Sequence, residues 1–241
     1  MKFGKSLTVV LFVFIFTANL RSQFPSIELF GGTSIGFYFN DTKDLNAELV
    51  KAGFPELDKQ FLTLGGGGYI DLEIKGDFLR IGGLGLGFSS VKEKKVNDSL
   101  TKAVNYDFGM GGISIEYVKV IKTLDLTFGV QITMGTLKID LYQYGRDAEN
   151  YNGILGNYSL NGSSQNITKN FKMRFFGFQP QVGVGFLMNK FLYAKLNTGY
   201  NATLNGSWKV DNDIEVTNFP EGIKPGGFNV NLSINVGLFF R

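Results

Sequence analysis

Five charged residues have the spacing to do chemistry. Asp71 and Glu73 stand two apart in a run that alternates polar and apolar, and Lys195 sits in a second such run. Residues two apart on a strand share a face. If these segments are strands of one closed sheet, Arg80 and Glu116 fall on the same polar side. Such a cluster could line an ion path or act as a gate. It could also be a salt-bridged plug, because buried charges must pair to offset desolvation. A narrow interior filled by side chains favours the plug.

Other chemistry is excluded by composition. The chain of 241 residues has no Cys and no His. Without Cys there is no disulfide scaffold, thiolate site, lipoprotein anchor or Cys-based zinc or iron–sulfur centre. Without His, a Ser–His or Asp–His site for hydrolysis or acyl transfer cannot be built. A Ser–Lys or paired-carboxylate site stays open, but no cluster of that kind stands out. No activity and no cofactor are therefore expected. The glycine runs Gly65–Gly68 and Gly82–Gly87 suggest a phosphate loop. Neither G-x-G-x-x-G nor G-x-x-x-x-G-K-[ST] occurs, so the runs are read as relief of crowding in a curved sheet. Several triplets of the form Asn-x-Ser/Thr occur, among them those beginning at Asn157, Asn161, Asn166, Asn201 and Asn205, which an Asn-rich chain produces by chance.

The elements that must hold the charges are strands. From Phe228 to Phe240 every even position is apolar, while Asn229, Asn231, Ser233, Asn235 and Gly237 fill odd ones. Strict alternation places one face in an apolar medium and the other against polar groups. The same pattern runs from Leu124 to Met134, from Phe176 to Phe186 and from Leu192 to Ala202. Weaker versions cover 26–40, 60–74, 78–91 and 102–118, giving eight strands. In the last of these the apolar phase slips near Gly111–Gly112, which predicts a bulge.

The gaps alternate in length. Long ones fall at 41–59, 92–101, 143–170 and about 206–226; short ones at 75–77, 119–123 and 189–190. An up-and-down meander with tight turns on one rim and long loops on the other has this rhythm, as do transmembrane barrels. The polar faces carry Gly, Asn, Ser, Gln and Thr, which suit a narrow interior. The apolar faces carry Phe, Leu, Val and Ile, which suit lipid. The expected fold is all-β: a closed antiparallel transmembrane barrel of eight strands, projecting beyond the bilayer on the long-loop side. The competing fold is a secreted soluble barrel with its apolar face turned inward around a ligand.

On these residues the chain resembles the small eight-stranded outer-membrane barrels of bacteria. The final strand carries the resemblance most specifically. Proteins of that kind usually end in an alternating strand closed by an aromatic residue, and here Phe240 is penultimate, followed by Arg241. The stretch Asp44–Leu49, with Gly53-Phe54-Pro55 and Gly65–Tyr69, looks like a segment of uncharacterised barrel-like proteins and carries no activity. The resemblance implies residence in the bacterial outer membrane, contact with outer-membrane lipid, and recognition of Phe240 by the barrel-assembly machinery.

Residues 1–22 read as a secretory signal: a basic start, an apolar run from Ser6 to Leu20, then small residues near Ser22. The barrel domain is then 23–241. Lys2, Lys5 and Arg21 leave with the leader, so 21 bases face 21 acids and no nucleic-acid partner is expected. In 41–53, Leu45, Leu49, Val50 and Ala52 are near helical spacing, with Asp41 or Thr42 as cap and Gly53 as stop. A short helix in the first external loop follows. Loop 143–170, rich in Asn, Gly, Ser and Tyr, reads as solvated. The expected role is non-enzymatic, in envelope structure or surface contact through the long loops, as a monomer; no surface ligand can be named. The alternative is a narrow pore or carrier for ions or a small apolar solute.

Overall fold

The computed structural model describes residues 26–145, 166–211 and 213–240. The leader assigned to 1–22 and most of loop 143–170 lie outside the described residues. In chain order the elements are β1 (Ile27–Asn40), α1 (Lys43–Lys51), β2 (Gln60–Ile74), β3 (Asp77–Asn97), β4 (Leu100–Ile121) and β5 (Leu124–Gly145). They continue with β6 (Ile167–Asn189), β7 (Leu192–Asn205), β8 (Lys209–Val210), β9 (Ile214–Glu215) and β10 (Gly227–Leu238). Each of β1 to β6 pairs antiparallel with the next, β7 pairs with β10, and β10 returns to β1. Eight strands thus close a ring, and β8–β9 form a small hairpin attached to the edge of β6.

The apolar rows point outward. On β5, Leu124, Phe128, Val130, Ile132 and Met134 are exposed, while Asp125, Thr127, Gln131 and Thr133 are buried inside. On β10, Phe228, Leu232, Ile234 and Val236 are exposed, while Asn229, Asn231, Ser233 and Asn235 are buried. The soluble inward-facing alternative is thereby excluded at this level. The outward apolar row of β5 runs from 124 to 134, close to the ~9–11 residues a tilted strand needs to cross hydrocarbon. The barrel spans a membrane.

Above that belt the two faces exchange chemistry. Further along β5 the outward residues become Thr136, Lys138 and Asp140, and the inward ones Leu137 and Ile139. On β6, Lys172 and Arg174 face out and Met173 and Phe175 face in, before the order reverses at Phe176. The upper barrel therefore stands in water around its own apolar core. This explains the supposed slip at Gly111–Gly112. The ladder runs through Gly111 and Gly112 on both sides without a break, so there is no bulge there. Val104, Tyr106, Phe108 and Met110 share the inward face with Ser114 and Glu116; only the chemistry on that face changes. Register shifts occur instead at Lys95/Asn97 and Leu187/Asn189.

The external gap expected at 92–101 is also corrected. β3 and β4 continue to a turn at Asp98-Ser99, because Lys94, Lys95 and Asn97 are as well solvated on a ladder above the membrane as in a loop. The hairpin β8–β9 was not foreseen either, its strands being too short to show a period. At the opposite rim Lys75 and Gly76 both have positive φ, 54° and 86°, and make the tight β2–β3 turn. α1 forms as expected, with Leu45 and Leu49 buried over the barrel mouth. Thr42 holds the cap position without a side-chain cap bond; Asp41 Oδ1 accepts the Lys43 N–H at 3.1 Å instead.

The height of the belt can be tested. Phe128→Arg is expected to destabilise the folded barrel by about 2–4 kcal/mol, and Thr136→Arg by about 0–1 kcal/mol. Urea unfolding in lipid vesicles measures both.

Candidate functional site

The charged side chains meet because four of them occupy one row of the ladder. Glu28 lies opposite Asp71, Asp71 opposite Arg80, and Arg80 opposite Glu116. All four point inward and are buried. Asp71 grips Arg80 in a two-point fork, Nε to Oδ1 and Nη2 to Oδ2, each 2.8 Å. Planar forks of this kind hold a guanidinium in a fixed orientation. From the opposite wall Lys195 on β7 donates to Glu116 at 2.8 Å and 2.6 Å. Gln181 Nε2 adds a third hydrogen bond to Glu116 at 2.8 Å.

The structure thus brings Asp71, Arg80, Glu116 and Lys195 into one buried cluster. It leaves Glu73 out. That carboxylate lies near the tight-turn rim, where Ser26 Oγ and, at 3.3 Å, Ser26 N donate to it. Three members were not singled out in the sequence. Asp125 Oδ2 stands 3.6 Å from Arg80 Nη2, Glu28 continues the row, and Tyr193 Oη accepts from Arg80 Nη1 at 3.1 Å. The alternation itself could have found them, since Asp125 and Tyr193 already stood on polar faces.

Aromatic rings floor the cluster. Phe30, Tyr69, Tyr193 and Phe239 pack together below it. The Arg80 guanidinium carbon sits 4.8 Å from the Phe30 ring centre and 5.0 Å from that of Tyr193; Lys195 Nζ is 5.3 Å from Tyr69. Cations over ring faces are attracted by the ring quadrupole, more strongly where water is excluded. Tyr193 can lie flat because Gly185 has no side chain: a Cβ there would stand 1.8 Å from the Tyr193 hydroxyl. Phe240, the residue read as an assembly signal, turns its ring outward while its N–H donates to Glu28 Oε1 at 3.0 Å.

Above the charges comes a layer of amides. Asn229 donates to Gln179 and Asn231 to Asn229, both at 2.9 Å, and Gln131 donates to the Leu84 carbonyl at 2.9 Å. Above the amides, Tyr38, Phe61, Phe88, Tyr106, Phe108 and Phe175 form a continuous aromatic core. α1, Trp208 and Ile223 close it from outside. At the external end Lys169 Nζ of β6 pairs with Asp211, and that hydrogen bond holds the Asp211 carboxyl below the usual carboxylate range. Among the described residues no group of three or more acids and His could hold a metal ion.

No family model matches the chain, and no curated protein does. Among solved structures, Ail of Yersinia pestis overlaps with 10% identity, covering 90% of this chain and 100% of Ail, at a TM-score of 0.35. Ail with the heparin analogue sucrose octasulfate gives 12% identity, 89% and 97% coverage and a TM-score of 0.30. The N-terminal barrel of Pseudomonas aeruginosa OprF gives 10%, 90%, 100% and 0.27.

The pairing of Lys195 with Glu116 has a measurable cost of disruption. Lys195→Met strands a buried carboxylate and is expected to cost about 3–5 kcal/mol. Adding Glu116→Leu should recover most of that loss. A double-mutant cycle by urea unfolding in vesicles gives the coupling. The ring of paired strands and its outward belt stand on the structure alone: the chain is a closed eight-stranded barrel of the build found in bacterial outer membranes.

Proposed function

We propose that the chain is a non-enzymatic integral protein of the bacterial outer membrane, working through its external end in envelope structure or surface contact. The observation that supports this most is the filled interior. An aromatic floor, a charge layer, an amide layer and an aromatic core succeed one another along the barrel axis. A solute would have to part all four. In the alternative, a narrow pore or carrier, the same layers must separate in use. The surface offered to a partner is then α1, the tip of the β3–β4 hairpin with Glu93, Lys94, Lys95 and Asp98, and the β8–β9 hairpin.

The same proposal takes 1–22 as a leader removed on export and 23–241 as the mature barrel. Phe240 serves the assembly machinery, and lipid covers the belt so that one copy suffices. The ionisable residues are engaged with one another in the interior, which supports neither a nucleophile nor a general base there. Nucleic acid finds no excess of positive charge on a near-neutral mature chain.

Planar-bilayer recording of the refolded full chain tests the reading. Wild type is expected to give no steady unitary current, and Arg80→Ala with Lys195→Ala to raise leakage. Steady unitary currents from wild type would favour the pore. Turnover of labelled lipid by the purified protein would overturn the non-enzymatic assignment.

A further inference from the structure

The ring is not paired along its whole height. β2 stays in register with β1 up to Gln60, opposite Phe39, and β3 with β4 up to Asn97. Between β2 and β3, however, the ladder begins only at Leu64 opposite Gly87. Gln60 to Thr63 have no ladder partner on their β3 side. A cavity of about 670 Å³ occupies this seam, within the ~300–1,000 Å³ of small-molecule sites. Phe61, Leu62 and Leu64 form one bank and Gly87, Phe88 and Ser89 the other.

The cavity joins two apolar regions. Leu62 and Leu64 belong to the outward belt and are 55% and 65% exposed. Phe61 and Phe88 are buried members of the aromatic core, stacked with ring centres 4.3 Å apart and planes within 4°. At the external edge the lining turns polar, with Gln60, Ser90 and Asp58. There Lys92 Nζ bonds Asp58 Oδ2 at 2.6 Å and ties the banks together. Below the seam Gly66 lies opposite Gly85, and Gly85 opposite Gly111, so the outer wall carries no side chains there.

We propose that the β2–β3 seam is a lateral groove that takes one acyl chain of an outer-leaflet lipid from the surrounding bilayer. The inference rests on the membrane placement. The occupant follows from continuity with the lipid-facing belt: the groove opens onto hydrocarbon, its lower lining holds no charge, and its polar edge lies toward the headgroups. No water is released when a chain passes from hydrocarbon into the groove, so van der Waals contact with both banks drives entry. The unpaired ladder supplies the width that a hydrogen-bonded pair of strands, about 4.8 Å apart, denies.

The full chain refolded into dimyristoylphosphatidylcholine vesicles, doped with a phosphatidylcholine bearing a diazirine on one acyl chain, provides the test. After irradiation, mass spectrometry maps the adducts. Adducts on Phe61 and Phe88 are expected, besides adducts on the belt residues Ile132 and Phe178. In Ser89→Trp, whose indole fills the groove, the inner adducts should be mostly lost while those on the belt persist. Belt adducts alone in wild type would overturn the groove and leave the membrane placement standing. Absence of adducts even on the belt would overturn both. Inner adducts that survive in folded Ser89→Trp would overturn entry by this seam. If Ser89→Trp does not fold, as judged by heat-modifiable gel mobility, the wild-type map decides. Labelling by a diazirine alkane added from water, with none from the lipid, would overturn the lipid assignment.

Discussion

Hydrocarbon offers a backbone amide no partner. A sheet that crosses a membrane must therefore pair its own edges, and here β10 returns to β1 along twelve register pairs, from Leu29–Leu238 to Asn40–Gly227. Closure then dictates the side chains. With alternation of period two, one row of each strand must suit lipid and the next must fit a narrow tube. Phe, Leu, Val and Ile take the first; Gly, Asn, Gln, Thr and a few paired ions take the second. The cross-strand row Glu28–Asp71–Arg80–Glu116 exists because closure stacks inward positions of neighbouring strands side by side.

Much of this was legible from residue order. The strict alternation at 124–134, 176–186 and 228–240 located both faces of β5, β6 and β10, and the rhythm of long and short gaps located both rims. The same alternation put Asp71, Arg80, Glu116 and Lys195 on the inside, where they meet. Glu73 shares that parity, but strand parity gives a face and not a height, and its height is that of Ser26 at the rim. Height is also what was missing for β3 and β4. Lys92 to Lys95 resemble a loop when each strand is assumed to end with the membrane, yet a ladder continues wherever its pairs remain satisfied.

The most instructive misreading is at Gly111–Gly112. A slip in hydrophobic phase has two physical causes: an added residue that rotates the strand, or a change of surroundings that reassigns its faces. The first breaks the register, and Gly85–Gly111 and Leu84–Gly112 show it unbroken. The second leaves the register intact and exchanges the chemistry of both faces at one height. β5 does so at Met134–Thr136 and β6 at Arg174–Phe176, strands adjacent in the ring through the pairs Met134–Phe176 and Thr136–Arg174. Agreement between neighbouring strands separates a boundary between media from a local irregularity, and it needs only sequence and register to detect.

That boundary also fixes the barrel's depth. Were the barrel to sink toward the tight-turn side by two residues, Thr136 and Arg174 would enter hydrocarbon, and Lys138 and Lys172 would follow on a further step. Each cation near the midplane costs about 2–4 kcal/mol, less near the interface. Were it to rise, Met134, Phe176 and Ile113 would lose their lipid contact, at ~25 cal/mol per Å² of apolar surface returned to water. The interior opposes a different error. If its membrane-level lining were as apolar as the belt, nothing would distinguish inside from outside, and the strands could pair with either face turned to lipid. Asn229, Asn231, Gln131 and the ion pairs remove that freedom, because outward they would be unsatisfied and inward they bond one another, Gln179 or, for Gln131, the Leu84 carbonyl. The polar lumen and the aromatic core above it therefore divide the work: the first decides which face turns out, and the exchange between them decides how far the barrel is inserted.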